Sequence, residues 1–100
     1  MPLYITADYK VRPDGAAKVR AAIDEFVRYV KANEPATRLY MAWERKDEPG
    51  RFMHFFIFED QSAQDIHSES AAVKKFESVY GPELVGGDVV FTDFELVARN

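Results

Sequence analysis

The chain has no cysteine. That excludes a disulfide framework, a thiolate nucleophile and a cysteine metal site. It also suits a reducing cytoplasm, where the protein is expected. No apolar run approaches the roughly 18 residues of a membrane-spanning helix, so no membrane role is expected. The opening residues, Met1-Pro-Leu-Tyr-Ile-Thr6, lack a basic start and a long apolar core, so no signal peptide is expected. Basic charge is in short supply. The formal net charge is −4, with acids and bases interspersed, which argues against a nucleic-acid surface. No run of like charges marks a tail. Glycine is too sparse for a phosphate loop. Gly86-Gly87 before Asp88 reads as a turn, because no glycine-rich motif precedes a helix. There is no repeat, linker or low-complexity segment, so residues 1–100 read as one domain.

What the chain does have is patterned apolar residues, 47% of the total, enough for a core. Leu3, Ile5, Ala7, Tyr9 and Val11 alternate with Tyr4, Thr6, Asp8 and Lys10, which predicts a first strand. Arg12-Pro13-Asp14-Gly15 is a turn, with Asp14 the expected helix cap. Val19, Ile23, Phe26, Val27 and Val30 recur at helical spacing, and Asn33-Glu34-Pro35 stops that helix. Thr37 to Arg45 alternates again, with Leu39, Met41 and Trp43 against Arg38, Tyr40, Ala42 and Glu44. A hairpin loop over 46–50 leads into a third strand, Arg51 to Glu59. Ser62 with Asp65 three residues on resembles a capping box for a short helix carrying His67. Ala72, Val73, Phe76 and Val79 mark a second main helix, ended by Gly81-Pro82. Val89 to Val97 is the last strand.

The order is βαββαβ, the ferredoxin-like α+β pattern: one antiparallel sheet with its helices on one face. The other face also looks apolar, from Phe52 to Phe58 and from Val89 to Phe94. The third strand is too apolar for a one-faced sheet. A second copy of the chain is expected to cover it, making a homodimer.

Three stretches resemble the antibiotic biosynthesis monooxygenase (ABM) family. They are Val11-Arg-Pro13, Asn33-Glu-Pro-Ala-Thr-Arg-Leu-Tyr40, and Phe58-Glu-Asp-Gln-Ser-Ala-Gln-Asp-Ile-His67 followed by Ser70. The resemblance covers nearly the whole chain and implies a dimeric α/β barrel. It further implies oxidation of a small aromatic phenol or quinol by molecular oxygen without a cofactor. Three positions depart from the family pattern. Ala36 stands where a glycine is usual, Phe56 where a glutamate is frequent, and Ala72 where a second histidine is frequent. Haem-degrading relatives use an asparagine, a tryptophan and an iron-binding histidine. Those positions fall at Thr6, His67 and Glu77, so none matches and haem is not expected.

The resemblance puts His67 on a pocket wall, where a neutral imidazole can take a phenol proton. The competing reading is a surface or capping histidine. His54, mid-strand among aromatics, is either a second polar group of the site or a buried, hydrogen-bonded histidine. Trp43 could stack on a planar substrate, though core or interface packing suits it as well. Tyr4, Thr6 and Tyr40 lie on the faces of their strands without leucine and could line a pocket. Arg38 could pair with an anionic substrate or with a surface acid. Asp8, Asp93 and Glu95 read as a solvated face, and nothing sets two histidines and an acid at metal-ligand spacing. No metal is expected. The alternative function is a ligand-binding or accessory domain of the same family without catalysis.

Overall fold

The computed structural model describes residues 1–100. Its elements are β1 (Leu3–Lys10), α1 (Ala16–Asn33), β2 (Thr37–Glu44), β3 (Arg51–Phe58), α2 (Gln61–Ser68), α3 (Ala71–Tyr80) and β4 (Val90–Phe94). The strands form one antiparallel sheet in the order β2-β3-β1-β4. This is the expected ferredoxin-like α+β fold. The second helical segment is two helices, because Ser70 adopts an extended backbone and its hydroxyl accepts from the Val73 N–H.

Both expected N-caps are corrected. Asp60, not Ser62, caps α2: its Oδ1 accepts from the Ala63 N–H at 2.9 Å. Asp60 has the extended backbone that a cap requires, whereas Ser62 already lies inside the helix. Asp65 instead accepts from the Gln61 side chain. Asp14 sits within a 3-10 turn, Pro13–Gly15, and α1 begins without a side-chain cap. Proline starts the turn before Asp14 can act as the boundary residue.

The last strand is also shorter than its pattern. β4 pairs only with β1, from Asp8 opposite Val90 to Tyr4 opposite Phe94. β1 begins at Leu3, one residue beyond the Tyr4–Phe94 pair, so the residues from Leu96 onward run past the end of their partner. The hairpin between β2 and β3 closes on Gly50. Its φ is +89°, and a Cβ there would lie 2.5 Å from the Val11 carbonyl oxygen. The Gly50 carbonyl accepts from the Val11 N–H at 2.8 Å. Only glycine permits both the left-handed backbone and that approach.

Strand register assigns the faces. Ile5, Ala7 and Tyr9 of β1 lie opposite Phe56, His54 and Phe52 of β3. Tyr40 and Ala42 of β2 continue two of those rows, opposite Phe56 and His54. This face packs on the helices. One buried cluster joins Tyr9 and Phe52 to Val19, Phe26 and Val30 of α1 and Phe76 of α3. A second joins Ile5, Ala7, Phe56 and Phe58 to Ala63 of α2. Tyr40 packs against both. The opposite face has no covering element in the chain. Met41, Trp43, Met53, Val90 and Phe94 are all exposed there. No helix is long and apolar enough to cross a membrane.

Candidate functional site

A cavity of about 360 Å³ opens between the helix-covered face of the sheet and the helices. The volume lies at the small end of ligand sites. Its walls draw on both core clusters. Ile5, Ala7, Phe56 and Phe58 come from one, and Tyr9, Phe26 and Phe76 from the other. Into this apolar lining project a few polar groups, chiefly His67, His54, Tyr40, Gln64, Glu77 and Asp93.

His67 is carried by the last turn of α2. The cap at Asp60 starts that helix two residues after β3 ends, and about two turns bring His67 back over the sheet. Its ring sits among Phe26, Tyr40, Phe56 and Phe58, with centroids 5.1–6.0 Å away. Nδ1 lies 2.7 Å from Oε1 of Glu34, and both residues are buried. An ionised carboxylate can only accept, so Nδ1 carries the proton and donates. In the neutral ring, Nε2 is then the free base. Nε2 has no hydrogen-bond partner and is not among the buried unpaired atoms, so it keeps accessible surface. The arrangement is that of an oriented imidazole, with the carboxylate fixing tautomer and direction.

Glu34 occupies the C-cap of α1. Its Oε1 also accepts from the Thr37 hydroxyl at 3.0 Å, while Oε2 is buried without a partner. Sequence reasoning read this residue as part of a helix stop and of a stretch resembling the family, not as a site residue. One signal was available. A carboxylate at a helix C-terminus faces the negative end of the dipole, so another group has to hold it there.

His54 is 1% exposed at the centre of β3. Both of its nitrogens are taken. Nε2 is 2.8 Å from the Tyr9 hydroxyl and Nδ1 is 2.8 Å from the Tyr40 hydroxyl. Burial pushes its pKa down to about 4, so the ring is neutral at physiological pH. Burial, helped by neighbouring tyrosines, also raises the pKa of Tyr9 and of Tyr40, which keeps both hydroxyls protonated. Tyr9 was missed as a site residue, although it is the one member of the inward stripe Ile5, Ala7, Tyr9, Val11 with a polar tip to satisfy.

The structure thus brings His67, His54 and Tyr40 to one cavity. It leaves the other four candidates elsewhere. Tyr4 and Thr6 share the uncovered face with Phe94 and Thr92, their partners on β4. Tyr40 lies on the opposite side of the sheet from them. Alternation tells which residues share a strand face, but only register tells which faces of different strands agree. Trp43 is on the uncovered face beside Met53 and is 44% exposed. Arg38 is exposed and lies 3.7 Å from Glu59 in a surface ion pair. Of the acids, Asp93 lines the cavity, while Asp8 faces Arg51 across the open side. Of the three positions that relatives use for haem, His67 and Glu77 line the cavity and Thr6 does not. No three histidine, aspartate or glutamate side chains come together as a metal site.

The sequence model of the antibiotic biosynthesis monooxygenase family matches residues 2–78. That span contains Tyr9, Glu34, Tyr40, His54 and His67. No curated protein is similar enough to the chain to match it. Solved structures are. One from Caulobacter crescentus, carrying the family's name, is 25% identical, with a TM-score of 0.88 over 97% of this chain and 91% of its own. One from Mycobacterium tuberculosis is 23% identical, with a TM-score of 0.86 over 99% of this chain and 98% of its own. Another, from Bacteroides thetaiotaomicron, is 15% identical yet has a TM-score of 0.89, over 97% of this chain and 90% of its own. The last two show the likeness of fold alone.

Proposed function

Because the chain belongs to the antibiotic biosynthesis monooxygenase family, we propose that it oxidises a small aromatic phenol or quinol with molecular oxygen, without a cofactor. One observation carries this reading: His67 lines an aromatic cavity with its Nε2 unpaired while buried Glu34 holds its Nδ1. The phenol proton passes to Nε2, and Glu34 stabilises the imidazolium that forms. The electron-rich phenolate gives one electron to oxygen, the radical pair joins as a ring peroxide anion, and the His67 imidazolium returns its proton to make the hydroperoxide. Loss of water, which takes the hydrogen of the same ring carbon, then leaves one oxygen atom as a carbonyl on the ring and His67 neutral again. The rings of Phe26, Phe56 and Phe58 orient a planar substrate and keep water from the radical pair.

The protein works as a homodimer in the cytoplasm under this reading. The exposed Met41, Trp43, Met53, Val90 and Phe94 form the kind of apolar surface that marks an interface. A second copy meeting it face to face would bury the same residues on both sides. Sedimentation is expected to give twice the chain mass.

The decisive experiment is oxygen uptake with a panel of quinols and polycyclic phenols. The wild type is expected to consume oxygen with at least one of them. His67→Ala is expected to lower that rate by about 10²- to 10⁴-fold, the usual worth of a positioned base. No uptake by the wild type across the panel, or a rate unchanged by His67→Ala, overturns the oxygenase reading. Binding without uptake would identify a non-catalytic ligand-binding domain.

A further inference from the structure

The hydrogen bonds around His54 leave one donor unspent. Its two nitrogens each face a tyrosine hydroxyl at 2.8 Å. A neutral imidazole has one N–H and one lone pair. One tyrosine therefore donates to His54 and the other accepts from it. The accepting hydroxyl keeps a hydrogen that His54 cannot take. A charged ring would leave two such hydrogens. Neither hydroxyl has a second partner anywhere in the chain. Both tyrosines line the cavity. Tyr40 packs against His67 as well as His54, whereas Tyr9 packs against His54 and not His67. A ligand oxygen beside His67 therefore meets the Tyr40 hydroxyl, which draws the spare hydrogen to Tyr40 and the N–H to Nδ1.

Tyr40 also stands between the two histidines. Its ring centroid is 5.6 Å from that of His54 and 5.7 Å from that of His67. One bound ring can reach both the spare hydroxyl and the proposed base. We infer that Tyr40 is the hydrogen-bond donor to an anionic oxygen of the bound aromatic, and that Tyr9 and His54 are positioning residues that aim it.

The inference rests on the proposed reading of the cavity as a phenol or quinol site. Removing the phenol proton creates a negative oxygen in an apolar pocket. Such a charge needs a donor already in place. The Tyr9 O–H donates to Nε2, Nδ1–H donates to Tyr40, and the Tyr40 O–H donates to the substrate oxygen. All three bonds run in one direction, so each polarises the next. The array also favours substrates with an ionisable ring hydroxyl over plain hydrocarbons of the same size.

The test uses 4-nitrophenol, which is coloured only as the anion. Titrated near its own pKa, the wild type is expected to raise the coloured fraction. Tyr40→Phe, which keeps the ring and its packing, is expected to weaken anion binding about 10- to 100-fold, the worth of one hydrogen bond to a charge. Tyr9→Phe should bind more weakly than the wild type but more tightly than Tyr40→Phe. The nitrogen resonances of His54 supply a readout that needs no variant. With the anion bound, the proton is expected on Nδ1 and the lone pair on Nε2. The inference is overturned if the wild type leaves the coloured fraction unchanged, if folded Tyr40→Phe binds like the wild type, or if the proton sits on Nε2. The two readings fail separately. Anion binding without oxygen uptake removes only the oxygenase, and uptake without an anion response removes only the donor role of Tyr40.

Discussion

The helix-covered face of the sheet holds Ile5, Ala7, Tyr9, Phe52, His54, Phe56 and Phe58, all buried, while the other face holds Met41, Trp43, Met53, Val90 and Phe94, all exposed. The same strands make both faces, and aromatic residues stand on each. On the covered side, α2 and the C-terminus of α1 bring Glu34 to His67, and every nitrogen of His54 is bonded. On the uncovered side, the polar groups meet only surface ions, as Asp8 meets Arg51. A site needs polar groups held in fixed directions inside a dry space. The covered face supplies fixed polar groups within an aromatic lining, and the uncovered face supplies apolar area alone.

The largest difference between the faces is expected from truncation. Phe58, 1% exposed beneath His67, should cost about 3–5 kcal/mol on Phe58→Ala. Met53, 40% exposed, should cost under ~1 kcal/mol on Met53→Ala if the chain is a monomer. Denaturant unfolding at two protein concentrations checks this. A cost at Met53 that grows with protein concentration would show a second copy on the open face. Equal, concentration-independent costs at both positions would break the comparison.

Acid should act on the covered face. His54 takes up a proton near pH 6.5 when unfolded but only near pH 4 when buried. Unfolding therefore binds a proton between those values, and stability falls as pH drops through that window. The loss amounts to about 3 kcal/mol and stops growing below about pH 4. A His54→Gln chain, less stable at neutral pH, should lose less on acidification. Unfolding curves taken from pH 7 to pH 4 would show no such difference if His54 were accessible to water. A smaller effect concerns how His67 is delivered. Asp60→Ala should destabilise the protein by about 1 kcal/mol, whereas Ser62→Ala should stay within about 0.5 kcal/mol. The reverse order would restore Ser62 as the cap of α2.

Much of this was legible beforehand for local reasons. Alternation and helical spacing are properties of neighbouring residues, so the element order, the hairpin at Gly50, the helix end at Gly81, and the apolar character of both faces could be read along the chain. His67, His54 and Tyr40 were found because residue type and strand position suggested them. The caps were misplaced because Ser62 and Asp14 fit a composition rule that takes no account of backbone angles. Tyr4 and Thr6 were grouped with Tyr40 because alternation within a strand does not link one strand to another. Pairing opposite Phe56 turns Tyr40 toward the helices, and pairing opposite Phe94 and Thr92 keeps Tyr4 and Thr6 on the open side.

Reading along the chain, then, sufficed for the ferredoxin-like fold and for the candidacy of two histidines, since both follow from short-range pattern. It could not supply the partners of those histidines. Glu34 lies 33 residues from His67, and Tyr9 lies 45 residues from His54. Such pairs exist only after the sheet has chosen its register and α1 has ended over α2. Which nitrogen of each ring is free, and which hydroxyl has a hydrogen to give, depends on those long-range bonds.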